Sequence, residues 1–475
     1  SMSVSLSETA KAADETSAVA KVGSTTYETL NVAIGAAAEG DTVTLLKDTT
    51  EDVVINKNIT LDLGKKTITG TNTSNAYSHN GKTIVSLIVA KGANATVKNG
   101  NIKGTADGYT IQNNGTATFE SLTATAGNTG SSMIDNWGTL TITSGEYTGG
   151  LNVVKSEEGS KLTINGGKFT LNYSKNYSTT TYTGVVFAYG DTTITGGEFI
   201  QSVANPGKWH HPCVVLTGVV EGYTAITRVT DGTFTNNYKD TSSNIFHGVG
   251  KATSDNFEVS GGTFNKPIPD GYCANEFIPT KQADGTYGVK EGKYVAKVGS
   301  TKYETLKDAF NALKSGSYKL TLLDENVWDA STPVYWRVNS DKSGYTKTLA
   351  EALTAVYKAN GRVTCKIVCR PGADVGTLTH GHVADSINIY GNNAYISGGE
   401  CDLEVDTFKF SRTTGAQAND GVALDKDITI NAYELDNLGV WGQRTTNHKV
   451  TVNLTDCDGK EIAGNNNVQR VYISG

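Results

Sequence analysis

The sequence predicts an all-β chain, a right-handed parallel β-helix solenoid in two modules that each open on a short amphipathic capping helix. Three observations carry this expectation. The phrase Val-Ala-Lys-Val-Gly-Ser-Thr-x-Tyr-Glu-Thr-Leu occurs at Val19–Leu30 and again at Val295–Leu306, so one structural unit is present twice. Between the copies two shorter phrases recur, one apolar and one reading roughly Leu-Thr-Ile-x-Gly-Gly-x-Phe. The composition suits short strands and tight turns, with 53 Gly against 7 Pro and only 19% charged residues.

Residues 1–17 are a polar Ser/Ala/Glu run without a hydrophobic segment, expected to be a flexible lead-in on a mature chain freed of its signal peptide. The first module is expected over 18–290. It opens on Leu30, Ala33, Ile34 and Ala37 at helical spacing, with Gly40 as the helix stop and Thr42–Leu46 as the next strand. The second copy gives Leu306, Ala309, Phe310 and Leu313, then Gly316 and strand Lys319–Leu323. A fainter third copy gives Leu349, Ala352, Leu353 and Val356, then Gly361 and strand Arg362–Val368, with Thr348 and Glu351 at capping-box spacing. Helices placed this way shield the open end of a strand stack from edge pairing.

The stack itself is read from the two short phrases. The apolar phrase, anchored at residues 88, 111, 134, 153, 186, 215 and 245, recurs every 19 to 33 residues. The second phrase occurs at Leu140–Tyr147, Leu162–Phe169, Thr193–Phe199 and Phe257–Phe264. A step of that length with two or three short strands is one turn of a parallel β-helix. Alternation puts Leu and Ile inward and Thr outward, and the Gly-Gly pair supplies a corner with positive φ. Asn113 and Asn136 fall at matching turn positions and predict an amide ladder. An immunoglobulin-type sandwich is the alternative, but its strands would not repeat one phrase turn after turn.

Phe264–Lys290 breaks the pattern and reads as a closing hairpin. The second module, 291–475, is less regular, with strands expected at Ser386–Tyr390, Cys401–Phe410, Ile428–Ala432, Val450–Leu454 and Val471–Ser474. It ends on a strand-like run, from which a truncated module in a longer protein is expected.

The net charge of −7 argues against nucleic acid and anionic surfaces as partners, and no apolar run is long enough for membrane insertion. The six cysteines show no zinc spacing. Cys365 and Cys369, on one expected strand, lie too far apart to bond each other, and the preferred reading is small buried side chains, with a disulfide or two as the alternative.

The phrases "VAKVGSTxYETLxxA" and "LTIxGGxF", with the closer "DGYCANEF…DGTYGVK", resemble surface-exposed, pectate-lyase-like β-helix proteins of gut Firmicutes. That resemblance implies a secreted, cell-surface, adhesin-like protein of a Gram-positive bacterium. The same fold also hosts lyases and glycoside hydrolases, so fold alone does not decide activity.

Loops longer than a minimal turn mark the candidate binding surfaces. Residues 172–183 are rich in Tyr, Ser, Asn and Thr, and offer Tyr173 and Tyr177 as ligand contacts. Trp137 and Tyr189 each precede a turn glycine two turns apart, which places them about 10 Å apart, a spacing suited to successive sugars. Trp209 and His210 sit on a third loop, 205–212. The plainer readings are a solvated insertion with incidental tyrosines for 172–183, aromatics that each cover the end of their own turn for Trp137 and Tyr189, and an ordinary turn for 205–212. His380 and His382, with Asp385 nearby, are the weak candidates for a metal, since i and i+2 side chains of a strand share a face, but further ligands are not visible. Asp456-Cys-Asp458-Gly459 with Glu461 echoes the start of a calcium loop and reads better as a turn. No cofactor is expected, calcium being the one ion left open. Asp425, Asp427 and Asp436, with Trp441 and Arg444 close by, are the weak catalytic candidates. The function expected is therefore binding of host or dietary glycans or glycoproteins through loops and exposed aromatics. A carbohydrate-active enzyme with acid/base aspartates in the second module is the alternative, and a purely structural stalk the third reading.

Overall fold

The structure is a computed structural model that describes residues 17–475 apart from 80, 128–129, 175–181, 204–210, 239–243, 313–318, 339–341, 349–350, 353–354, 356–365, 370–376, 382–385, 391–400, 405–408, 412–427, 434–436, 442–449, 454–469 and 475; beyond 355 it describes strand backbone only. The chain is mostly β-strand and carries extensive parallel sheet. It divides into two compact units, Ser1–Gly292 and Lys293–Gly475.

In the first unit the repeat phrase folds as an antiparallel pair, Ala20–Val22 with Thr25–Tyr27, followed by the helix Leu30–Ala36. Thr29 caps that helix by accepting the Val32 N–H, and Leu30, Ala33 and Ile34 are its buried stripe. The helix stops earlier than the glycine suggests. Ala37 is the C-cap, in an extended conformation, while Gly40 (φ 86) belongs to the turn that follows.

From there the chain runs back and forth between two sheets. One visit to the second sheet is followed by two to the first, as in Val154–Ser156, then Lys161–Ile164 and Lys168–Leu171. Each strand pairs in parallel with its counterpart from the preceding round, and inward positions superpose: Leu140 on Leu162, Ile142 on Ile164, Tyr147 on Phe169. In the second sheet Leu87, Ile111, Ile134, Val154, Val186, Val215 and Phe246 are consecutive partners. Three of the anchors expected from sequence, at residues 88, 153 and 245, were therefore one place off. Ile88, Val153 and Ile245 are as buried as their neighbours, so alternation did not mark the inward side.

The Gly-Gly corner divides its work between two residues. A Cβ on Gly166 would sit 2.6 Å from the Thr143 carbonyl oxygen, whereas Gly167 has φ 105. Past each corner an aromatic turns inward, and Tyr147, Phe169, Phe199, Phe234 and Phe264 form a column with centroid separations of 4.9, 5.0, 4.8 and 5.2 Å. Every ring in it is fully buried, so each contributes roughly 1.5–3 kcal/mol from burial alone. The expected amide ladder runs beside it. Asn113 Nδ2 donates to Asn136 Oδ1 at 2.9 Å, and Asn136 Nδ2 to Ser156 Oγ at 3.0 Å. At the far end, the hairpin Phe277–Lys281 with Tyr287–Glu291 pairs antiparallel, Tyr287 lying opposite Phe264.

The second unit opens on the same antiparallel pair and on helix Leu306–Ala312, whose Leu306, Ala309 and Phe310 are buried. Phe310 packs against Trp328 and Tyr335. The segment Cys401–Phe410, expected as an irregular turn of the stack, contains strand at both ends. Cys401–Glu404 pairs antiparallel with Lys319–Leu322, and Lys409–Ser411 antiparallel with Ser386–Asn388. The antiparallel hairpin Val334–Val338 with Lys342–Thr346 carries none of the repeat phrases and was not anticipated. Parallel pairing occurs in two short sets, 377–381 with 428–433 and 450–453, and 386–390 with 437–441 and 470–474.

Candidate functional site

The site follows from register. Asn113, Asn136, Ser156 and Ala188 are consecutive partners in the second sheet, so the residues after them, Asn114, Trp137, Glu157 and Tyr189, form one row at the strand ends. The backbone N–H groups of Trp137, Glu157 and Tyr189 donate to Asn113, Asn136 and Ser156 respectively, which fixes that row. Trp137 and Tyr189 are thus two strand spacings apart, about 10 Å, with Glu157 between them.

Trp137 is half-buried and held from two directions. Its Nε1 donates to Asp135 Oδ2 at 2.9 Å, and the exposed His79 imidazole stacks on its ring, centroids 3.8 Å apart and planes within 7°. His79 in turn donates its backbone N–H to Gln112 Oε1 (2.9 Å), and Gln112 Nε2 donates to Asp135 Oδ2 (2.8 Å). His79, Gln112, Asp135 and Trp137 therefore close a ring of contacts. Tyr189 is half-buried between Phe187, stacked at 5.0 Å, and Gly218, with Lys155 Nζ 5.8 Å from its ring centroid. Two exposed tyrosines flank the row. The carbonyl of Tyr77 accepts from Asn114 at 3.5 Å, and the Tyr223 ring lies over Gly159. They are 59% and 46% exposed, among the few large apolar side chains that are.

Beneath the aromatics lie two carboxyl groups whose charges interact, Asp135 and Glu157. Asp135 is fully buried and Glu157 nearly so. Burial, the hydrogen bond to Asp135 and that carboxylate's charge push the Glu157 carboxyl up to about 8, against the opposing pull of Lys155, whose Nζ is 3.5 Å from Oε1. Burial, with the charges of Asp135 and Glu157, pushes the nearby Tyr109 phenol up to about 12.

The remaining sequence candidates fall elsewhere. Tyr173 is buried, and its hydroxyl hydrogen-bonds Thr183 Oγ1 at 2.9 Å. Tyr177, Trp209, His210, His382, Asp425, Asp427 and Asp436 lie outside the described residues, and His380 is described only as strand backbone, opposite Ala432. Cys213, which is buried, and Cys273, which is half-buried, are in no disulfide, and burial pushes the Cys273 thiol up to about 11. Among the described residues no group of three metal-ligating side chains converges, and no helix is long and apolar enough to cross a membrane. Asp135 and Glu157 were missed because they are 22 positions apart in sequence. The signal that finds them is strand register, which brings Glu157 beside Trp137 once Val154, rather than Val153, is set against Ile134. A concavity of about 620 Å³ lies on the first sheet among Asp62, Lys65, Asn99, Asn101, Ser121 and Thr123.

Comparison of the chain with family models, with curated proteins and with solved structures finds no match.

Proposed function

We propose that the first unit is a right-handed parallel β-helix of the pectate-lyase-like kind, and that the chain is a secreted, adhesin-like protein displayed on the surface of a Gram-positive gut bacterium. Parallel pairing between successive rounds of chain, with superposed inward residues, supports the first part. In this reading the protein binds host or dietary glycans or glycoproteins along the second sheet's edge. The observation that carries it is the row Trp137–Glu157–Tyr189 flanked by Tyr77 and Tyr223. It sets two half-buried aromatics at sugar-scale spacing beside two exposed tyrosines, on register-paired strands, so little ordering cost opposes binding.

The test is retention of the protein on immobilised mucin glycoprotein and on a glycan panel, with release of free sugars measured in the same wells. Retention without released sugar, reduced in Trp137→Ala and Tyr189→Ala, is the expected result. Released sugar that disappears in Asp425→Asn, Asp427→Asn or Asp436→Asn would replace this reading with that of a carbohydrate-cleaving enzyme.

A further inference from the structure

The pair of carboxyls under the aromatic row is an expensive arrangement to keep if its only role is to fill space. Asp135 is completely buried, yet its Oδ1 has no hydrogen-bond donor among the described residues, while Oδ2 takes two, from Gln112 Nε2 and Trp137 Nε1. An unsatisfied carboxylate oxygen at zero exposure costs several kcal/mol unless something supplies a proton. The neighbouring carboxyl that interacts with Asp135 is Glu157, nearly buried and next to Trp137 in the row, and it is a donor only when protonated.

We propose that Asp135 and Glu157 share one proton, and that this shared proton positions Trp137 for ligand stacking. The inference rests on the glycan-binding reading of the row and deepens it by naming how the row is held. Glu157 keeps the proton and donates it to Asp135. Asp135 then remains a single acceptor that Trp137 Nε1 and Gln112 both grip, and Gln112 anchors the His79 segment that covers the indole. Loss of the proton places a second negative charge against Asp135 in a buried site. The two carboxyls must then separate, and the contacts of Asp135 with Trp137 loosen. Asp135 and Glu157 are positioning residues here; neither has to touch the ligand. The charged and titratable groups facing the pair are Tyr109 and Lys155 on the sheet, Glu158 and Tyr189 along the row, and His79 over Trp137. Lys155 favours the ionised form of Glu157 and Glu158 opposes it.

The pair is read directly by infrared difference spectroscopy of the intact chain, following the C=O stretch of a protonated carboxyl. One such band is expected to persist at neutral pH, to titrate with a midpoint of about 8, and to vanish in Glu157→Gln. The positioning role is read by the Trp137 fluorescence, taken as wild type minus Trp137→Phe, and by mucin retention, both from about pH 6 to about pH 9.5. Both should change with the same midpoint in wild type. In Glu157→Gln, which mimics the protonated acid, both should stay at their neutral values throughout. His79→Gln separates any contribution from the imidazole. Absence of a carboxyl band removed by Glu157→Gln would overturn the shared proton. A band that titrates while Trp137 fluorescence stays constant would overturn the positioning role. Failure of mucin to bind at any pH would remove the glycan reading alone, because the band and the fluorescence are measured without ligand.

Discussion

The ring of Tyr189 lies across Gly218 so closely that a Cβ on that glycine would stand 2.2 Å from its Cε1. The glycine is therefore part of the aromatic row, as the floor on which Tyr189 rests. Gly218→Ala should push the phenol off the sheet edge while leaving the parallel pairing of Ala188 with Thr217 in place. Mucin retention is expected to fall about tenfold, with a loss of stability of about 1–3 kcal/mol. Unchanged retention would show that the position of Tyr189 does not matter for binding.

Glu157 also makes stability depend on pH, with a sign that can be worked out. Its folded-state value is raised to about 8 from an unfolded value near 4.5, so between those limits the folded chain holds a proton that the unfolded chain has released. Stability from this group is complete below about pH 4.5 and is lost as pH rises through about 8. Denaturant unfolding at a series of pH values should show that decline in wild type and a flatter profile in Glu157→Gln.

Phe199 sits inside the aromatic column with rings at 5.0 Å and 4.8 Å on its two sides. Phe199→Ala should cost about 3–5 kcal/mol, and Phe199→Leu markedly less, since Leu refills most of the volume. Equal losses in the two variants would mean that ring geometry, rather than filled space, sets the stability.

Asn136 serves four neighbours with one side chain, accepting from Asn113 and the Gly138 N–H and donating to Ser156 and the Lys161 carbonyl. Asn136→Ala should lose about 1–3 kcal/mol by thermal or denaturant unfolding, because four hydrogen bonds are lost at once, two of them to the buried Asn113 and Ser156. Asn136→Asp keeps the acceptor but not the donor, so it should recover only part of that loss.

Much of the first unit was legible because each round repeats the same physical demand. Leu-Thr-Ile alternates, Gly-Gly turns the corner, and Phe or Tyr follows inward, so Leu162–Phe169 could be superposed on Leu140–Tyr147 by inspection. The second sheet was less legible, since Ile88, Gln112 and Asp135 are buried on what alternation would mark as the outer face. Beyond its opening copy of the repeat phrase the second unit has no recurring phrase to align, and its antiparallel pair Val334–Val338 with Lys342–Thr346 gave no comparable signal. At the site, Trp137 and Tyr189 stood out as aromatics before turn glycines. Gln112, Asp135 and Glu157 did not, because their meaning comes from neighbours one round of chain away.

Partner strands in the second sheet are separated by as few as 20 residues, from Ile134 to Val154, and as many as 34, from Val53 to Leu87, yet the inward side chains still meet. A residue here has an address with two coordinates, its column and its level, and the length of chain spent between levels is free to vary. Segments can thus lengthen, shorten or be exchanged between levels without altering what lies above or below. Compensating substitutions should accordingly appear between same-column residues such as Asp135 and Gln112, at spacings that differ from one pair of levels to the next.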